Sequence, residues 1–141
     1  MESKYDYKIL PELRLIVSCY SGIISENEIM SLKESIKSDK AFHMEYNILD
    51  DFTDANFNIS KDSFHRVLKW LIDNFAWDRK SALLTSTPDQ VVNIMRFDSL
   101  NKDQLPNRIK IFSTLSAALL WIGLSKEDAP EIEMVLKELR N

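Results

Sequence analysis

Between Tyr46 and Thr85 the sequence places one complete helical stripe between two short apolar runs, and that arrangement leaves few folds open. Phe64, Val67, Leu68, Leu71, Ile72 and Phe75 recur at the spacing of a single apolar helix face. The flanking runs "YNIL" (Tyr46 to Leu49) and "SALLT" (Ser81 to Thr85) are short and bounded by polar residues, the pattern of buried strands. Strand, helix and strand in succession make a crossover unit with parallel strands and a right-handed connection.

The remainder repeats the theme. "YDYKIL" (Tyr5 to Leu10) and "RLIVSCY" (Arg14 to Tyr20) are rich in strand formers and separated by "PEL", which predicts a β-hairpin with a tight reversal. "SENE" (Ser25 to Glu28) fits a capping box, and Ile29, Leu32 and Ile36 behind it predict a helix to about Ser38. "TPDQ" (Thr87 to Gln90) is a second helix start, with Pro88 at the first helical position and a helix to about Leu100. "RIKIF" (Arg108 to Phe112) reads as a last strand, followed by a helix from about Thr114 to Gly123 and a final amphipathic segment carrying Ile132, Val135, Leu136 and Leu139. The expected fold is α/β: a mixed sheet of about five strands with an antiparallel N-terminal edge hairpin and helices packed against it. Residues 1–124 form the expected domain. Residues 125–141 form a C-terminal helix that packs on the same domain or on a partner subunit.

Composition narrows the function classes. With 141 residues the chain can bury roughly two thirds of its unfolded surface as a single domain. Its 18 basic and 22 acidic residues are interspersed and give a net charge of −4, so no basic stripe favours nucleic acid. The longest apolar run, Ala117 to Leu124, is far below the ~20 residues that cross a bilayer, and "MESKYDYK" lacks the apolar core of a signal peptide. A soluble, cytoplasmic protein without stable membrane insertion is expected. The single cysteine, Cys19, excludes an intrachain disulfide. His43 and His65 do not stand at a metal-ligand spacing. No catalytic residue, metal or cofactor is expected.

Three stretches, "LIVSCYSGIISENEI", "YNILDDF" and "IKIFSTLSAALLWI", together resemble the STAS superfamily, in its SpoIIAA-like branch related to anti-anti-sigma factors. The third is the most specific, with a strand ending in Phe112 and then Ala117, Ala118, Leu120 and Trp121 on the next helix. The resemblance covers about residues 5–124. It implies a non-enzymatic regulatory or ligand-binding domain. In anti-anti-sigma members a serine near the start of the helix after the acidic stretch is phosphorylated, which breaks a protein contact. Ser60 in "NISKDS" is the nearest equivalent, without the preceding Asp and following Gly of that motif. Other relatives resemble lipid carriers with an apolar cleft beside the sheet.

Candidate sites follow. Asp51, Thr53, Asp54 and Ser60 form a possible switch or interaction corner, with a solvated turn leading into the helix as the plain alternative. Thr85, Ser86 and Lys110 invite comparison with phosphate receivers, but the acidic pair after the first strand and the Lys-Pro pair are missing. Ser86, Thr87, Ile94 and Phe97 mark a ligand or partner surface at a strand end, with a small apolar ligand between the Val91–Leu100 helix and the sheet. Trp70, Trp121, Ile132, Val135 and Leu139 are apolar side chains beyond the main stripes, and mark an oligomer surface. The reading is a protein-interaction domain that self-associates as a dimer, with a carrier of a small apolar or lipid-like ligand as its alternative.

Overall fold

The computed structural model describes residues 2–74, 79–92, 95 and 109–141. Its five strands are β1 (Lys4–Leu10), β2 (Leu15–Ile24), β3 (Asn47–Phe57), β4 (Ser81–Leu84) and β5 (Ile109–Phe112). They lie in one sheet in the order β1-β2-β3-β4-β5, with β1 antiparallel to β2 and the other pairs parallel. Helices α1 (Glu26–Ser38) and α2 (Lys61–Asn74) connect β2 to β3 and β3 to β4, while α3 (Leu115–Ile122) and α4 (Ala129–Arg140) follow β5. A sheet that advances one strand at a time through right-handed crossovers must put its connecting helices on one face. The core accordingly divides. Ile29, Leu32 and Ile36 of α1 and Phe64 and Val67 of α2 pack on Ile16, Tyr20, Ile48 and Phe52. Ala118, Leu119 and Ile122 of α3 and the stripe of α4 pack on Leu15, Val17, Leu49 and Ala82 from the other side.

The predicted boundaries hold where local chemistry sets them. Ser25 and Glu28 close the expected capping box, with the Ser25 amide donating to Glu28 Oε2 at 2.8 Å. Thr114 caps α3 by accepting from the Ala117 amide at 3.3 Å, and Gly123 ends it with φ 100°. The "PEL" reversal is a turn of 3-10 helix closed by Arg14 at φ 50°. Residues 88–92 and 95 are helical; the rest of the expected helix to Leu100 lies outside the described residues.

Both long strands outrun their predicted ends. β2 continues to Ile24, and β3 runs through the whole acidic stretch to Phe57, paired up to Ile24↔Phe57. The expectation of a solvated turn after Leu49 is therefore corrected. Paired backbone on both strands and helices on both faces keep this segment extended, and Asp50 and Asp51 are buried. A bulge intervenes: Cys19 pairs with Asp51 and Ser21 with Asp54, so β3 holds one residue more than β2 between these rungs. Such an insertion re-aims the side chains after it.

Gly22 tolerates no side chain. Its φ is +77°, and a Cβ there would stand 2.0 Å from the backbone oxygen of Glu2. Gly22→Ala is expected to cost about 1–3 kcal/mol and to loosen residues 2–4 from the sheet, read as a lower urea midpoint and faster amide exchange in β1.

Candidate functional site

The two buried aspartates of β3 face opposite layers. Asp50 shares the α1/α2 face with Ile48 and Phe52, where it meets Lys33. Lys33 belongs to the buried side of α1 with Ile29, Leu32 and Ile36, and its Nζ donates to both Asp50 carboxylate oxygens at 3.0 and 3.2 Å. The Ser18 hydroxyl on β2 donates to the same carboxylate. Arg79, just before β4, is buried beside them and donates to the Ser81 hydroxyl.

These groups form one wall of a cavity of about 70 Å³ between α1, α2 and the sheet. Among the described residues, Lys33, Asp50, Arg79 and Ser81 are its polar lining. Ile29, Phe52, Phe57, Phe64, Val67, Leu71, Leu83 and Ile109 supply the rest. Burial holds the Lys33 ammonium below its ordinary range against the pull of Asp50, and the neighbouring Arg79 charge adds to the lowering. Burial likewise brings Arg79 down to about 10, with Asp50 opposing. The lining, apolar with a few convergent polar groups, is of the kind found in small-molecule sites, at a volume well below the roughly 300–1,000 Å³ usual for them.

Asp51 faces the other layer and is fully buried. The bulge folds Thr53 back on it, so that the Thr53 amide and hydroxyl donate to Asp51 Oδ1 at 2.9 and 2.7 Å. Arg140, in the last turn of α4, pairs with Asp51, donates to the Thr53 hydroxyl at 3.1 Å and lies 3.6 Å from Asp54. The Arg140 carbonyl in turn accepts from Lys4 at 3.0 Å. Asp51, Thr53 and Asp54 thus gather around Arg140, a cation that the sequence reading did not single out.

Cys19 lies beside this group. Burial, then the Asp51 charge, push its thiol up to about 11 from 9.0, with Arg140 pulling the other way. A raised acid keeps its proton longer in the folded state, so its stabilising contribution is complete below pH 9 and lost as pH rises towards 11. Urea midpoints are expected to show the wild type losing about 2 kcal/mol more than Cys19→Ala between those limits. Tyr7, pushed up to about 12 by burial and by Asp39, is common to both proteins and cancels.

Ser60 stands apart, exposed at the start of α2, where its hydroxyl accepts from the Ser63 amide at 3.2 Å and donates to the Ser63 hydroxyl at 3.1 Å. This is an N-cap. Ser86 and Thr87 join the neighbourhood of Thr53 through Gln90. Gln90 Oε1 accepts from the Ser86 and Thr87 amides at 2.6 and 3.2 Å. Its Nε2 donates to the carbonyls of Thr53 and Ala55, both at 3.0 Å, and the Ser86 hydroxyl donates to the Thr53 carbonyl at 2.7 Å. The β4 pairing stops at Asp51, so these side chains satisfy the β3 carbonyls beyond it. Ile94 and Phe97 lie outside the described residues. Next to Val91 and Met95 runs an open groove lined by Ile109, Ile111 and Phe112; the charged cavity lies elsewhere, under α1 and α2.

The nominated oligomer surface separates into two parts. Ile132, Val135 and Leu139 are buried in their own chain's core with Leu10, Leu15, Val17 and Cys19, which corrects their assignment to a subunit surface. Each such burial contributes roughly 1.5–3 kcal/mol, and a stripe so engaged has no free face to offer. Trp70 and Trp121 are half-buried. Lys37 lies 6.0 Å from the Trp70 ring, and Lys80 and Lys110 lie 5.2 and 5.5 Å from that of Trp121.

Lys33 carried a legible signal, since it sits at the helical spacing of Ile29, Leu32 and Ile36. Arg79 and Arg140 had none, because only the fold brings them to Asp50 and Asp51. Among the described residues no group of three or more His, Cys, Asp or Glu is placed to hold a metal ion, and no helix is long and apolar enough to cross a membrane.

No protein-family model matches the sequence, and no curated protein does. Among solved structures the chain is similar to an uncharacterized protein of the DUF3478 family with a SpoIIAA-like fold from Shewanella loihica PV-4. The TM-score is 0.59 at 15% identity, over 86% of this chain and 96% of that one. The fold is SpoIIAA-like, as the resemblance of the three sequence stretches implies.

Proposed function

We propose that this SpoIIAA-like domain is a small-molecule-binding regulatory module of the cytoplasm. It acts without catalysing a reaction and passes the occupancy of its cavity to protein partners. The observation that carries this reading is the cavity between α1, α2 and the sheet, where an apolar lining meets Lys33, Asp50, Arg79 and Ser81. Cavities of this composition orient a ligand by a few polar groups and hold it by apolar contact. Ligand-observed NMR with a panel of probes of two or three heavy atoms, such as methanol and formate, tests it: saturable binding is expected in the wild type and its loss in Leu71→Phe, which fills the space. Probes that ignore the wild type, or bind the filled variant equally well, would sink the reading.

Self-association is the second reading, supported by the outer face of α3. Leu120 there is 78% exposed, beside half-buried Trp121. Sedimentation at micromolar concentration is expected to give a dimer that Leu120→Asp converts to a monomer; a monomeric wild type would end it.

A further inference from the structure

Resting on the cavity reading, we propose that Lys33 is a nucleophile for small carbonyl compounds. Its amine captures an aldehyde of two or three heavy atoms in the cavity, as an iminium paired with Asp50.

Lys33 is buried on the inner side of α1 and lines the cavity together with Asp50. Its Nζ donates to both Asp50 oxygens at 3.0 and 3.2 Å. An amine set in an apolar pocket is the form in which lysine attacks carbonyl carbon. Burial holds this ammonium below its ordinary range, so the free amine is reached at less cost than on an exposed lysine. Asp50 is within hydrogen-bond reach to take the ammonium proton and return it.

Charge balance selects the electrophile. A proton passes from the ammonium to Asp50, and the amine nitrogen attacks the carbonyl carbon as the C=O π pair moves to oxygen. Asp50 relays two protons in turn from nitrogen to that oxygen. Water then leaves, and the nitrogen lone pair closes the C=N bond. Ammonium and aldehyde become iminium and water, with no oxidant or reductant. The product keeps one N–H and its positive charge beside Asp50, so the buried pair survives. Acylation of Lys33 would strand the buried Asp50 charge. Addition of carbon dioxide would set a carbamate against Asp50 as a like charge.

Size limits the class further. A dry apolar cavity of about 150 Å³ accepts benzene, and this one measures about 70 Å³. Half of the benzene volume holds two or three heavy atoms. Formaldehyde and acetaldehyde fit, and butanal does not.

The test incubates the full chain with acetaldehyde or butanal at neutral pH, traps the iminium with cyanoborohydride and maps the alkylated lysines by peptide mass. Exposed Lys40, Lys61 and Lys137 report the unassisted reaction. Acetaldehyde is expected to label Lys33 ahead of all three, and butanal to label those three and not Lys33. Leu71→Phe is expected to lose the Lys33 label and keep the others. The contrast between the two aldehydes in the wild type decides the matter even if that variant does not fold. Lys33 labelled last or not at all by acetaldehyde, as burial alone predicts, or labelled equally by both aldehydes, overturns the carbonyl inference. Saturable methanol binding alongside that failure leaves the cavity reading standing; no methanol binding alongside it overturns both.

Discussion

Asp50→Ala is expected to lower the unfolding free energy by about 3–5 kcal/mol, a fall in Tm on the order of 10 °C for a domain of this size. The reason is asymmetry. Lys33 and Asp50 are both buried, with their charged atoms 3.0 Å apart, and removing the carboxylate strands the ammonium in an apolar layer. The Ser18 hydroxyl loses its acceptor at the same time. Asp50→Asn keeps the shape and an acceptor oxygen, and is expected to lose less. Replacing the pair together, as Lys33→Met with Asp50→Leu, is expected to recover most of the deficit, because an apolar pair needs no compensation. Thermal melts of the four proteins read this directly. A single Asp50→Ala within 1 kcal/mol of wild type would show that the two charges are already solvated through the cavity, contrary to their burial.

Arg140→Ala leaves the other aspartate stranded. Asp51 is fully buried, and of its three donor groups among the described residues two come from Thr53 and one from Arg140. The Thr53 donors remain in the variant and the guanidinium is itself partly exposed, so the expected loss is smaller, about 2–3 kcal/mol. Asp51→Asn introduced into that background removes the unpaired charge and is expected to restore at least about 1 kcal/mol, a coupling that a double-mutant cycle isolates. Additive effects of the two substitutions would mean that Arg140 does not sense Asp51. The same variant is expected to raise amide exchange along α4, since its last turn is tied to β3 through the Arg140 side chain.

The fold was legible because its signals are local. Ser25 with Glu28 and the Phe64–Val67–Leu71 stripe each specify an element from neighbours a turn away, and alternation of strands with helices then restricts the topology. The acidic stretch misled for the same reason. Two adjacent aspartates after an apolar run look like a chain end turning to water, and nothing nearby in sequence announces the partners. Lys33 lies 17 residues from Asp50, and Arg140 lies 89 from Asp51. Burial of Asp50 and Asp51 is a property of a strand covered on both faces. The four apolar residues of α4 show the converse. Their stripe was plain in the sequence, but whether it met its own sheet or another subunit depended on an uncovered patch over Leu15 and Val17 that only the assembled strands create.

β4 ends at Leu84 while β3 continues to Phe57, so the middle of the sheet has a step where one strand outruns its neighbour. A step of this kind is a template: bare carbonyls in a row invite an extended segment from another molecule to continue the ladder. Gln90 and Ser86 occupy that row with side-chain donors. They act as a plug that mimics the missing strand without being one. The molecule thereby keeps a long β3, with room for the bulge at Thr53, and does not leave its widest strand open to recruitment into aggregates.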